Sequence, residues 1–268
     1  MNSVSLSTTR FKYVSRSCAV LDNIHESSTS DSHTFWCKPS TEQEIQDFCY
    51  QAVFGTAATS TTTPSSNSAA SAASSAVSVL HTEPPLIVVH GFLSDLQCNT
   101  LIQAAMNQQE KFNRSTTGAA QQTTDIRTST TAWLRDDDET TSVDTSAVLR
   151  SFAHRVSRVI GLPPENMENV QMVQYAETQK FDVHTDHLDS FNDLDCRGRL
   201  ATCLVYLNDS VEQEEDSPMS LTAVASAAAK QLFTGGETYF PAFDISVTPS
   251  KGSALFFWNT LERPGMQD

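Results

Sequence analysis

The densest group of potential metal ligands in the chain is His184-Thr185-Asp186, with Asp182, His187 and Asp189 close by. The segment KFDVHTD reads as a strand, and in a strand residues two apart project from the same face. One imidazole and one carboxylate would then point together into a shared space. Joined by a distant histidine, such a pair makes the two-histidine, one-carboxylate set that holds iron(II) and leaves coordination positions open. Taken alone the spacing is weak, because histidines and acids also sit together on ordinary solvated surfaces. His187 directly follows Asp186, so a regular strand would turn it to the opposite face. A closed zinc site has no support: the six cysteines (18, 37, 49, 98, 196 and 203) form no C-x-x-C pair, and there is no H-x-x-x-H. Scattered in this way, they leave the redox compartment open.

The elements that must position this pair follow from local patterns. TEQEIQDFCYQAVFG can form one short helix, and LIVVH has strand character ended by Gly91. Ser94 and Gln97 have capping-box spacing ahead of Cys98, Leu101, Ile102 and Ala105, one apolar helix face. A second helix is expected from near Asp144. Its stripe is Val148, Leu149, Phe152, Val156, Val159 and Ile160, and Gly161 ends it before Pro163-Pro164. The acidic run Asp136-Asp137-Asp138-Glu139 reads as a solvated loop. Beyond Pro164 the segments NVQMVQYA, KFDVHTD, RLATCLVYLND, ETYFPAF and SALFFWN suggest short strands of an antiparallel sandwich or barrel. LATCLVYL and ALFFW are apolar on both faces, as doubly covered strands are. The span 209–234, acidic and then Ala-rich, reads as an insertion carrying a helix.

Residues 55–83 are dominated by Ser, Thr and Ala, which bury too little apolar area to offset ordering entropy, so this is expected to be a linker. Residues 1–54 are expected to be a leader with one short helix. Arg10, Lys12 and Arg16 without an acid give its start a faint transit-peptide composition. The net charge of -15 disfavours nucleic acid as a partner, and no apolar run is long enough for a membrane span. The compartment stays unassigned.

From Pro84 to the last residue the chain resembles the catalytic domain of prolyl 4-hydroxylases. The resemblance is carried by PLIVVHGFLSDLQCNTLIQAA, by Arg127-Thr128-Ser129 with Trp133 and Leu134, by IGLPPENMENVQMVQYAETQKFDVHTD, and by RLATCLVYLND, GGETYFP and PSKGSALFFWN in family order. Motifs linked in order are far more specific than any one of them. The resemblance implies an α+β fold: a double-stranded β-helix (jelly-roll, cupin-like) core flanked by N-terminal helices, occupying residues 84–268. It implies an iron(II)- and 2-oxoglutarate-dependent dioxygenase that hydroxylates a C–H bond, most naturally of peptidyl proline, with L-ascorbate keeping the iron reduced. His184 and Asp186 would be iron ligands. Tyr175, Arg199, Thr202 and Trp258 would border the 2-oxoglutarate and substrate pocket, Arg199 more as a structural partner than as the carboxylate anchor. Gly235 and Gly236 would serve a backbone turn.

One departure matters. In the family a second histidine follows the strand equivalent to SALFFWN, and then a lysine that pairs with the distal carboxylate of 2-oxoglutarate. Here no histidine occurs after His187 and no lysine after Lys251, which sits in the turn before that strand. The expectation is therefore a domain whose last strands are missing, and a chain of residues 1–268 that is inactive or very weak. The alternative is a non-catalytic binding module of the same fold.

Overall fold

The computed structural model describes residues 3–14, 41–55, 75–117, 121–186, 196–211 and 233–259. Helix α1 (Glu42–Phe54) starts at Thr41, whose hydroxyl accepts from the Glu44 amide while the Glu44 carboxylate accepts from the Thr41 amide. Helix α2 (Asp95–Met106) starts at Ser94 with the same reciprocal pair to Gln97. These boxes satisfy amides that the first turn of a helix otherwise leaves unbonded. Helix α3 (Val143–Ile160) starts at Ser142 and stops at Gly161, whose φ of 78° is the left-handed turn that a residue without Cβ adopts readily.

The strands are β1 (Ser3–Val14), β2 (Val77–Thr82), β3 (Pro85–Val89), β4 (Asn113–Arg114), β5 (Thr130–Leu134), β6 (Val170–Tyr175), β7 (Cys196–Val205), β8 (Ser210–Val211), β9 (Phe233–Thr234), β10 (Thr238–Phe240), β11 (Ile245–Val247) and β12 (Ala254–Trp258). Eight of them form an antiparallel sheet in the order β2-β3-β12-β7-β1-β6-β5-β4, while β10-β11 and β8-β9 make two small sheets.

Strand alternation divides the large sheet into two faces. Ile87, Val89, Met172, Cys203, Val205, Ala254, Phe256 and Trp258 belong to one apolar cluster together with the buried stripes of α1, α2 and α3. Phe256 meets Phe92 edge-on at 5.6 Å, and Phe92 meets Phe152 at 5.9 Å, so β12, the loop before α2 and α3 share one aromatic column. The opposite face carries a smaller cluster: Leu86, Val88, Val173, Tyr206 and Leu255, with Tyr175, Leu204, Phe257 and the β10-β11 pair against it. Gly252 (φ 78°) ties the two ends of the domain. Its amide donates to the Tyr206 carbonyl, its carbonyl accepts from the Leu93 amide, and a Cβ there would collide with the Leu93 carbonyl. Lys251 is part of the same turn, with its amide on Asp209 and its Nζ on Asn99, the folding role that the P-x-K-G pattern suggests.

Two expected boundaries need correction. The span 55–83 was expected to be linker, yet residues 77–82 form β2, paired with β3 from Val77↔Val89 to Thr82↔Pro85. The start of the chain was expected to be a leader outside the domain, yet residues 3–14 form β1 at the centre of the sheet, between β6 and β7. Both errors have one cause. Strand pairing depends on partners distant in sequence, and the short alternations at Val4-Leu6, Phe11-Tyr13 and Val77-Val79 are outweighed by the surrounding Ser and Thr. The Ala-rich part of the 209–234 insertion, and His187, lie outside the described residues.

Candidate metal and cosubstrate site

The His184 segment is not the strand that its sequence suggests. Phe181 makes a single bridge to Arg127, and residues 182–186 then leave the ladder. What fixes the segment is the stretch 126–128: the Asp182 amide donates to the Ile126 carbonyl at 2.7 Å, and the Thr128 amide donates to the Lys180 carbonyl at 2.8 Å. The Lys180 amide returns a bond to the Thr128 hydroxyl at 2.7 Å. The Arg127-Thr128-Ser129 element thus acts as a clamp on the approach to His184. Arg127, buried, lies over the Phe181 ring at 4.7 Å, and the His184 ring stacks on Phe181 at 3.5 Å.

His184 and Asp186 nevertheless converge. Nε2 of His184 lies 3.3 Å from Oδ1 of Asp186, whose side chain is only 7% exposed. His184 Nδ1 is 2.7 Å from the Asp182 carbonyl oxygen. A carbonyl only accepts, so Nδ1 carries the proton, and in the neutral ring Nε2 presents a lone pair. With a neutral ring, a nitrogen lone pair and a carboxylate oxygen would face each other across 3.3 Å. A divalent cation resolves that arrangement, so these two donors fit one by their chemistry. No cluster of three or more His, Cys, Asp or Glu placed to hold a metal occurs among the described residues.

The other four expected site residues divide by face. Thr202 is fully buried in β7, and its hydroxyl donates to Asp186 Oδ2 at 2.8 Å, so it serves the carboxylate directly. Tyr175 ends β6 half-buried beside Val173 and Leu204, on the same side of the sheet as Thr202. Arg199 is turned away from the pair: Nε and Nη2 grip Glu168 at 2.8 and 3.3 Å, with the two side chains 12% and 5% exposed. Trp258 is packed into the helix-side cluster with Phe256, on the face opposite Thr202. The geometry therefore brings together His184, Asp186 and Thr202, keeps Tyr175 on their face, and turns Arg199 and Trp258 away from them. The φ values of Gly235 (83°) and Gly236 (85°) agree with the expected turn.

Sequence reasoning missed Phe181 and Asn259. Asn259 Nδ2 donates to the Thr202 hydroxyl at 3.0 Å, and its backbone amide donates to the Leu200 carbonyl at 2.8 Å. Its position at the end of SALFFWN, one residue beyond a buried strand, was the available signal.

The chain is similar to proteins of one family. Residues 170–264 match the family model of the 2OG-Fe(II) oxygenase superfamily, a span that contains Tyr175, His184, Asp186, Arg199, Thr202 and Trp258. Prolyl 4-hydroxylase 5 of Arabidopsis thaliana is 30% identical over 205 residues, covering 68% of this chain and 60% of its own length. The prolyl 4-hydroxylase subunit alpha-3 of Bos taurus is 31% identical over 198 residues, covering 71% of this chain and 30% of its own. A solved structure of the viral collagen prolyl hydroxylase of Paramecium Bursaria Chlorella virus-1, in complex with 2OG, overlays with a TM-score of 0.43 at 25% identity, covering 65% of this chain and 77% of that one. By its similarity the chain belongs to the 2OG-Fe(II) oxygenase superfamily. Within that superfamily it is prolyl 4-hydroxylase-like, and it spans about three fifths of the length of the plant relatives it matches.

Proposed function

We propose that this domain hydroxylates a C–H bond of a proline-containing peptide, using iron(II), 2-oxoglutarate and oxygen, with L-ascorbate keeping the iron reduced. The observation that carries the reading is the convergence of His184 Nε2 and Asp186 Oδ1, with Thr202 on the other carboxylate oxygen. Its prolyl 4-hydroxylase relatives support the substrate class. The domain is proposed to extend the large sheet into a double-stranded β-helix over residues 84–268, the β10-β11 pair facing the site side as the beginning of its second layer.

When bound, iron(II) and 2-oxoglutarate would supply the oxidising chemistry, with dioxygen as the oxidant and succinate and carbon dioxide as coproducts. The chain's own residues do the rest. His184 is held in one tautomer and one ring plane by the Asp182 carbonyl and by Phe181. Asp186 is held as a carboxylate acceptor by Thr202, and Tyr175 lies on the face where the cosubstrate would sit.

Among the described residues His184 and Asp186 are the two donors that converge, and for residues 1–268 alone we propose weak iron binding and little turnover. Free imidazole tests both parts. With iron(II), ascorbate and 2-oxoglutarate, decarboxylation by residues 1–268 should be low and should rise when imidazole supplies the third donor. Full turnover without imidazole would contradict the weak-chain reading. No decarboxylation under either condition, together with tight peptide binding, would favour the non-catalytic module instead.

A further inference from the structure

Asp186 has two carboxylate oxygens, and they are treated differently. Oδ1 faces His184 Nε2, whereas Oδ2 accepts the Thr202 hydroxyl proton at 2.8 Å. A threonine hydroxyl has one proton to give. Thr202 Oγ1 also lies 3.4 Å from Asn259 Oδ1 and 3.0 Å from Asn259 Nδ2. The shorter contact to Asp186 takes the proton, and the Asn259 amide donates into the hydroxyl's lone pair. Asn259 cannot easily swing away, because its backbone amide is fixed to Leu200 at 2.8 Å where β12 ends. Thr202 is equally fixed: it is 0% exposed and lies opposite Phe257 in the β7–β12 register.

We propose that Asn259 and Thr202 are positioning residues for the metal site: Asn259 orients the Thr202 hydroxyl, and Thr202 engages Asp186 Oδ2 so that Oδ1 alone is presented to the cation. The inference rests on the metal role proposed for His184 and Asp186 and adds the relay that aims the carboxylate. Neither residue touches the metal. Each acts by holding an acceptor oxygen away from it and by lowering the number of orientations the carboxylate can sample. Outer partners of this kind commonly govern metal affinity by about 10- to 100-fold.

The test is Co(II) binding to the chain of residues 1–268, read both as a dissociation constant and as the visible absorption spectrum of the bound ion. Thr202→Val keeps the shape and removes the proton. It should weaken Co(II) by about tenfold or more and change the spectrum as the carboxylate, no longer held by Thr202, reorients at the ion. Thr202→Ser restores the donor and should return affinity and spectrum close to the parent. Asn259→Asp offers the hydroxyl a competing acceptor in place of a donor, and should weaken Co(II) as much as Thr202→Val without touching Asp186. The melting temperature without metal serves as the control, and the serine and aspartate variants carry the test should the valine variant fold poorly. Equal affinity and an unchanged spectrum across the folded variants would overturn the relay. A parent chain that binds Co(II) no better than an Asp186→Ala variant would overturn the metal role itself, and the relay with it.

Discussion

The two faces of the large sheet obey different rules. The helix side is filled by Phe256, Phe92, Phe152 and the aliphatic stripes of three helices, nearly all of them fully buried. The site side has a thinner apolar layer and includes Thr202, Asp186 and a half-buried Tyr175. Neighbouring residues on one strand belong to opposite regimes: Phe256 is completely buried, whereas Phe257 is only partly so. One face supplies stability through area removed from water. The other gives up some of that area so that polar groups can be held in fixed relations. The proposed site lies on the second face, where the Asp186 carboxylate keeps the Thr202 hydroxyl as a partner.

Removing residues 3–14 should produce the largest effect on this contrast. Strand β1 stands between β6 and β7, so without it both lose a neighbour, and the strand bearing Thr202 is uncoupled from the half that anchors His184. The expected result is a melting temperature lowered by more than about 10 °C, followed by circular dichroism, with aggregation through the exposed edges. An unchanged transition would mean that β1 is incidental to the sheet.

Phe256→Ala should cost about 3–5 kcal/mol in denaturant unfolding, the range for an aromatic removed from a packed core. Phe257→Ala, one residue on, should cost less than half of that, and equal losses would erase the distinction between the faces. Glu168→Ala should cost about 3 kcal/mol by removing the paired carboxylate from the buried Arg199 guanidinium, whereas replacing both by apolar residues should restore most of the loss. A loss of 2-oxoglutarate binding in that double variant at unchanged stability would return Arg199 to the pocket.

The smallest effect concerns the buried thiols. Burial pushes Cys98 up to about 11 and Cys49 up to about 12, from a usual value of 9.0. Since the folded state holds these protons more tightly than the unfolded chain does, their contribution is fully present below pH 9 and declines as pH rises toward those values. Melting temperatures between pH 7 and 10.5 should therefore fall on the alkaline side, less so in Cys49→Ala.

Much of this was readable from local sequence. The Ser94–Gln97 capping box, the stripe of α3 and the stop at Gly161 depend on residues a few positions apart, and they appear as expected. The pairing of His184 with Asp186 was legible in outcome but not in cause. Strand geometry was the stated reason, whereas the chain uses an extended loop clamped by residues 126–128. What local pattern could not carry was partnership at a distance. Glu168 is 31 residues from Arg199, Asn259 is 57 from Thr202, and β1 pairs with strands more than 150 residues away. The face of Trp258 was available in principle, since Ala254 and Phe256 share its alternation.

Manganese(II) titrated into isotope-labelled protein, with amide broadening followed by NMR, tests the donor pair most directly. Broadening should centre on residues 182–186 and on Thr202, and should disappear in His184→Ala and Asp186→Ala. Broadening centred instead on the acidic run 136–139, with 182–186 unaffected, would contradict the metal site on which the functional reading stands.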